Sequence, residues 1–441
     1  SITGSLGNLS PSDIQASVSE NNVMGTGQRI QLTGLYQTNR RPNFGYSVLY
    51  GINSIKHSFV NATLTYSEID NNISRNRRNQ QAILLQLDRP LTSAYGRIAG
   101  GLIAGNSQTS NIYLQPDSAF YHYKYNTIDG WVGYNIGVKR LITDNTLHDR
   151  KFVSLRYFKT DFLESPLQVG DHYNQLYNNK KGVLGQFTFF RQDYYKTNYI
   201  YGFGLTEDIP TGYNISITSG WYQQLDLKRA YSGIDANFYS FTSNEHFIQY
   251  FFRAGGFLSK NQIQDAGILL GTSIFSKLYL FRNFKMRQYL RFSYTRQFNQ
   301  IALDPLKINN PFGIRYFGSD SAIGDRRLSL HGETFVFLKY KLFGFQFSPF
   351  VFNDVSALTP RNESLDKSAF YWSIGGGIRL RNENLLFGTI ELRFVYFPRK
   401  VANMRPYLVS SNVNVRFRYN TTYVRAPDLV QLNADYSNSI F

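Results

Sequence analysis

The sequence predicts an all-β protein: a transmembrane antiparallel β-barrel. Three observations lead there. Apolar and polar residues alternate along most of the chain, and aromatic residues make up 16% of it. No run approaches the roughly 18 apolar residues of a membrane helix. Alternation is the mark of a strand with two unlike faces, and aromatic residues favour strands.

Alternation by itself also fits a soluble sandwich. Strands this long and numerous, with large charged residues beside small ones on their polar faces, exceed the usual sandwich. In lipid every backbone N–H and C=O must find a partner, so a sheet there has to close and lose its edges. The apolar face then turns outward and the polar face lines the lumen.

Strand-like runs fall at about 13–22, 28–37, 43–52, 57–68, 81–90, 96–105, 128–137, 150–159, 183–192, 198–206, 213–221, 231–241, 246–257, 265–280, 286–296, 345–356, 369–381, 386–396 and 412–419. Tight turns are expected at Met24-Gly25-Thr26-Gly27 and Ile209-Pro210-Thr211-Gly212, and longer polar loops at 69–80, 162–181 and 300–327. The barrel is expected over 1–419. Residues 420–441 form a tail or the end of the last strand; Pro427 and Asp428 interrupt the stretch, which finishes at Phe441. No linker divides the chain.

Composition narrows the function. Cysteine is absent, which excludes disulfides and Cys-based zinc sites. The formal net charge of +17 is spread along the chain without a recognised nucleic-acid module, so nucleic acid is not expected as a partner. A basic balance fits anionic lipid or a basic channel instead. The first residues, Ser-Ile-Thr-Gly-Ser-Leu-Gly, lack the basic and apolar regions of a signal peptide, so such a leader is expected to have been removed or never present.

The stretch "IRYFGSDSAIGDRRLSLHGETFVF" at 314–337 is the most informative. In a barrel, Ser329, His331, Glu333 and Lys339 share the lumen face, while Leu330, Thr334, Val336 and Leu338 face lipid. By the same parity Asp354, Arg379, Glu391 and Arg393 point inward. Arg315 sits at the tip of the 300–327 loop. Folded inward, it could pair with the inner-wall carboxylates Asp354 or Glu333, for which its planar fork is suited. The competing reading is a solvated external loop with Arg315 an ordinary surface charge.

No catalytic motif is present: no His-Glu-x-x-His, no Gly-x-Ser-x-Gly and no phosphate-binding loop. His331 with Glu333 offers two metal ligands and no third. Neither an enzyme nor a cofactor is expected. Gly375-Gly376-Gly377 lies in an alternating strand, where glycines permit close approach. Tyr194-Tyr195 and Phe251-Phe252 read as interfacial girdle residues.

The 314–356 stretch resembles the lumen-loop motif of the superfamily of outer-membrane barrels that includes BamA, TamA and FhaC. Its loop-tip tetrad, Val/Ile-Arg-Gly-Phe/Tyr, is here Ile314, Arg315, Tyr316 and Phe317; its inward Glu is Glu333; its Phe-x-Asp-x-Gly element is Phe352-Asn353-Asp354-Val355-Ser356. Tyr316 and Ser356 stand where the family has Gly. "SENNVMGTGQRIQLTG" (19–34) resembles the family's early hairpin, "GLTEDIPTGY" (204–213) and "RYFKTDF" (156–162) its periplasmic turns, and "SIGGGIRLRNENLLFGTIELRFVYFP" its penultimate hairpin. The Asn-, Tyr- and Lys-rich style resembles proteins of the Bacteroidota. The family's polypeptide-transport-associated domains are missing from these residues.

The resemblance implies about sixteen strands, where the run count reaches about twenty. It also implies an integral protein of the bacterial outer membrane that inserts other barrels or translocates polypeptides. Its partners would be outer-membrane lipids, client polypeptides and lipoprotein or periplasmic subunits. The lateral seam would pair Ser1, Ile2 and Thr3 with Val413, Val415 and Phe417, and would open to offer an edge to an incoming strand. The alternative is a plugged passive channel, or an anchor for a soluble domain or lipoprotein partners. Arg291, Arg379, Arg393, Arg416 and Arg418 would then favour anions.

Overall fold

The computed structural model describes residues 2–10, 13–69, 79–91, 96–138, 149–174, 176–200, 202–319, 321–382, 389–399, 401, 404–415 and 424–434. Their strands are β1 (Ile2–Ser10), β2 (Asp13–Val23), β3 (Gln28–Gln37), β4 (Phe44–Ile52), β5 (Asn61–Ser67), β6 (Asn79–Arg89), β7 (Ile98–Ser110), β8 (Lys124–Ile136), β9 (Asp149–Glu164), β10 (Lys180–Asn198), β11 (Thr206–Gln224), β12 (Leu227–Phe241), β13 (Phe247–Ser259), β14 (Gln262–Phe275), β15 (Tyr279–Leu280), β16 (Phe284–Phe298), β17 (Leu306–Lys307), β18 (Ile323–Gly324), β19 (Arg326–Leu338), β20 (Lys341–Leu342), β21 (Phe345–Thr359), β22 (Ala369–Asn382), β23 (Thr389–Tyr396) and β24 (Tyr407–Val415).

Among the described residues, 22 of these strands form one sheet, and β17 pairs with β18 in a small separate hairpin. Within the sheet, β15 and β20 are two-residue extensions beside β16 and β21. The other twenty follow one another as an antiparallel meander, each paired with its neighbours in sequence order. That number lies at the top of the expected range. No described helix is long and apolar enough to cross a membrane.

The two faces of the sheet are inverted relative to a water-soluble protein. On β16, β19 and β21 the side chains of Leu290, Leu330 and Val351 are 45%, 46% and 64% exposed, while Arg291, Arg327 and Asp354 on the opposite face are at most 4% exposed. Charged side chains are almost never fully buried without partners, and a face of exposed Leu, Phe and Val is unstable in water. Lipid against that face resolves both. β10 and β11, at 19 residues each, exceed the 9–11 a tilted strand needs to cross. On β10 the outward apolar series of Val183 and Phe187 gives way to the Arg191–Asp193 ion pair at 2.7 Å, where the strand leaves the apolar band.

The sheet is rolled. The ring of Phe203, in the turn after β10, lies edge-on to Phe337 of β19 at 5.7 Å. Six strand steps separate β10 from β19, about 29 Å in a flat sheet. Arg287 of β16 likewise reaches Thr197 Oγ1 (2.9 Å) and the Asn198 carbonyl (2.8 Å) at the end of β10.

The 24–27 turn forms as expected. The Gly25 and Gly27 φ values are positive (77° and 73°), and Asn22 Oδ1 accepts from Gly27 N–H at 2.7 Å, giving the Asn-x-x-Gly-x-Gly pattern a hydrogen-bonded basis. The 209–212 turn does not form. Ile209-Pro210-Thr211-Gly212 lies inside β11, paired with β10 (Tyr194 opposite Pro210). The described pairing of β11 with β12 begins only at Gly212, so Pro210, which has no N–H to give, sits on an unpaired edge as strand prolines do. The true connection is the turn between β10 and β11, inside the run expected as a strand at 198–206. Residues 156–162, expected as a turn, lie in the interior of β9.

Candidate functional site: a lumen loop seated on an ionic inner wall

The connection between β16 and β19 folds into the lumen. Leu306, Ile308, Phe312, Ile314 and Phe317 are all at most 2% exposed and share one core with Phe335, Phe337, Phe350 and Phe352 of the wall. The solvated-loop reading of 300–327 is therefore replaced by the inward one, because these apolar side chains find their burial only inside.

The root of the loop is fixed by a residue that sequence reasoning missed. Asp265 of β14 accepts from the backbone N–H groups of Ile301 (2.6 Å), Ala302 (3.1 Å) and Leu303 (3.3 Å). Its second oxygen takes Arg229 of β12 at 2.6 Å, and both side chains are wholly buried. The Arg229 guanidinium lies 4.1 Å over the Phe257 ring. The only hint in the sequence was a charge inside an otherwise apolar run at 263–275. Further along, Ser293 and Arg291 of β16 donate to the carbonyls of Phe312 (3.2 Å) and Pro311 (3.4 Å).

At the tip, Ile314 is fully buried and Phe317 packs edge-on to Tyr371 (5.6 Å) and Phe397 (5.7 Å). Tyr316, 41% exposed, has φ of 61°. The position therefore adopts the left-handed backbone that glycine takes freely. Arg315 is half-buried beside the buried Ile314.

Below the tip, β19, β21, β22 and β23 build a continuous ionic network. Asp354 is held by His331 Nδ1 and by Ser373 Oγ at 2.8 Å. His331 Nε2 faces Glu333 at 3.6 Å, an ion-pair distance rather than a hydrogen bond. Arg393 donates to Glu333 (2.7 Å) and Glu391 (3.0 Å), and Arg379 donates to Glu391 (2.8 Å). The arginines lie flat on aromatic rings: Arg393 over Phe350 and Phe352, each at 4.7 Å, and Arg379 over Phe335 at 4.1 Å. Gly375 and Gly377 make room for this stack. A Cβ on either would stand 2.5–2.7 Å from the Phe352 or Phe350 ring. Charges this deep need partners: Glu333, Glu391 and Asp354 each have a hydrogen-bonded one, while His331 Nε2 faces Glu333 without a hydrogen bond.

Lys339 does not join the lumen face. It lies beyond the end of β19, exposed, and donates to the carbonyls of Phe281 (2.6 Å) and Arg282 (2.8 Å). The strand stops one residue earlier than the parity argument assumed. Of the aromatic pairs read as girdle, Tyr194, Tyr195 and Phe252 are exposed, but Phe251 turns inward against Phe312 of the loop at 5.5 Å. Along β13, alternation puts the adjacent Phe251 and Phe252 on opposite faces.

At the lateral seam, Ser1, Arg416, Phe417 and Arg418 lie outside the described residues, as do the side chains of Ile2, Thr3, Val413 and Val415. Backbone pairing places Ile2 opposite Glu20, Thr3 opposite Ser19 and Val415 opposite Thr389. Register shifts between Leu6 and Leu9 and between Thr389 and Glu391 interrupt both terminal pairings. Among the described residues, β1 and β24 each have one strand neighbour.

No family model matches the sequence, and no curated protein matches it. Among solved structures the chain is similar to CdiB from Acinetobacter baumannii, with 12% identity and a TM-score of 0.45 over 92% of this chain and 60% of that one. It is also similar to BamA from Haemophilus ducreyi lacking POTRA domains 1–3, with 12% identity and a TM-score of 0.41 over 93% of this chain and 70% of that one.

Proposed function

We propose that the chain is an outer-membrane barrel that inserts other barrel proteins into the membrane or translocates polypeptides across it. The observation that supports this best is the seating of the Ile314–Phe317 tip on the wall that carries Glu333, Asp354 and Arg393. Ile314 and Phe317, from the stretch that resembles the lumen-loop tetrad of the BamA, TamA and FhaC superfamily, share one buried core with Phe350 and Phe352 of the wall, which supports this reading.

In this reading Arg315 locks onto the Asp354–His331–Glu333 cluster and holds the wall in shape. The edges of β1 and β24, around Ser1, Ile2, Thr3, Val413, Val415 and Phe417, part to offer unpaired backbone to an incoming strand, as strand edges readily pair. The barrel would span 1–419. Its partners would be outer-membrane lipids, client polypeptides and lipoprotein or periplasmic subunits, and no cofactor takes part. Depletion of the protein in its native cell, followed by quantitative proteomics of the outer membrane, tests the proposal. Loss of other barrels or of secreted polypeptides is expected, and unchanged levels would contradict it.

The second reading is a closed channel or an anchor. One observation favours it: both the 300–325 loop and residues 424–434 pack inside the barrel. A protein of that kind would leave other barrels at normal levels and conduct ions weakly in planar bilayers.

A further inference from the structure

Residues 424–434 lie beyond β24 and form no strand, yet they run through the lumen as an ordered strap. Much of what holds them is their main chain. Arg156 of β9 donates to the Pro427 carbonyl at 2.7 Å, while Asp129 grips its other nitrogens at 2.8 and 2.7 Å. Arg253 of β13 donates to the carbonyls of Gln431 (3.2 Å) and Ala434 (2.8 Å). Arg327 of β19 donates to the Leu432 carbonyl at 2.8 Å, and Tyr231 Oη accepts from Val430 N–H at 2.6 Å. Arg253 and Arg327 are each 1% exposed.

Two apolar side chains of the strap, Val430 and Leu432, fill a trough of inward glycines. A Cβ on Gly255 would stand 3.2 Å from Val430 Cβ, and one on Gly267 would stand 2.2 Å from Leu432 Cδ1. The strap's side chains also bond: Arg425 to Asp235 (2.6 Å), Asp428 to Arg156 (3.1 Å), and Asn433 to Arg327 (3.1 Å), Lys307 N–H (3.2 Å) and the Pro305 carbonyl (2.8 Å).

We propose that Arg156, Arg253, Arg327 and the glycine trough form a track that binds an extended polypeptide through its carbonyl groups, and that residues 424–434 occupy it in cis. Four carbonyls on three arginines, Arg253 and Arg327 buried and Arg156 partly so, are a recognition chemistry that any peptide backbone satisfies. The trough asks only for two apolar side chains two residues apart. A segment leaving this track exposes donors suited to another extended chain. The role of that chain as client rests on the proposed function; the binding itself does not.

The test uses the full chain in detergent. Val430→Asp with Leu432→Asp places charges in the trough and should release the strap. A fluorescent peptide of sequence VRAPDLVQLNA should then bind roughly tenfold or more tighter than to the unaltered chain, and adding Arg253→Ala should weaken it by a similar factor. No binding to the folded double variant, or binding indifferent to Arg253→Ala, overturns the track.

A second variant covers a double substitution that does not fold. The chain has no cysteine, and the Gly255–Val430 separation is near the roughly 3.8 Å between Cβ atoms of a disulfide. In Gly255→Cys with Val430→Cys, the oxidised form should bind the peptide roughly tenfold or more weakly than the reduced form. Equal binding overturns the proposal. Peptide binding without any effect of depletion on other barrels would leave the track standing and remove the transport reading.

Discussion

Arg393 Nη2 stands 2.7 Å from Glu333 Oε1 on the inner wall, with both side chains at most 6% exposed. The pair joins β23 to β19 across two intervening strands, so it braces the curvature of the wall and carries the network beneath the loop tip.

Glu333→Ala should be among the most destabilising single changes in the barrel. It leaves Arg393 buried beside Glu391 alone and frees the charge facing His331. Breaking one side of a buried pair costs about 3–5 kcal/mol. The urea midpoint of the detergent-solubilised protein should fall accordingly. Glu333→Gln keeps an acceptor and should lose less. Equal midpoints for Glu333→Ala and the parent would show that the network adds nothing.

Arg315→Ala should leave membrane insertion and the urea midpoint nearly unchanged while lowering assembly or secretion of clients. Arg315 is only half-buried, so its removal strands no deep charge. Asp354→Ala should lower both, since it also unties His331 and Ser373. An Arg315→Ala protein with full activity beside an inactive, folded Asp354→Ala protein would separate the two residues and remove the proposed lock.

Asp265→Ala should loosen the root of the loop. Three backbone donors and the buried Arg229 lose their acceptor together, for about 3–5 kcal/mol. Limited proteolysis should cut within 300–325 in the variant and not in the parent, and single-channel recordings should show larger openings. Resistance equal to the parent would mean that the loop is held elsewhere.

Tyr316→Gly should be tolerated. It removes a left-handed backbone cost of about 1–2 kcal/mol and adds about 0.5–1 kcal/mol of glycine entropy. Stability should therefore change by no more than about 1.5 kcal/mol. Tyr316→Val should be clearly worse, since a β-branched residue resists positive φ. The opposite order would deny the left-handed geometry at this position.

Much of this was legible in the residues because membrane strands write two faces into one line. The alternation at 286–296 and 329–337 assigned Arg291, Ser293, His331 and Glu333 to the lumen correctly. The same periodicity is blind to what packs from outside the sheet. Val430 and Leu432 sit in a stretch with Pro427 and Asp428 that reads as a loop, and the glycines beside them, Gly233, Gly255 and Gly267, belong to three separate strands. Asp265 looked like an interruption in an apolar run, although its acceptor role depends on backbone 36 or more residues away. Pro210 and Gly212 were misread because turn chemistry and strand-edge chemistry use the same residues.

The central claim is the inverted barrel, with Leu330 toward lipid and Glu333 toward a filled lumen. Single cysteines in this cysteine-free chain test it most directly. A bimane label at Leu290→Cys, Leu330→Cys or Val351→Cys should be strongly quenched by brominated lipid in reconstituted vesicles, and a label at Ser293→Cys or Ser329→Cys should not. Quenching at the serine positions, or none at the leucines, would contradict the account.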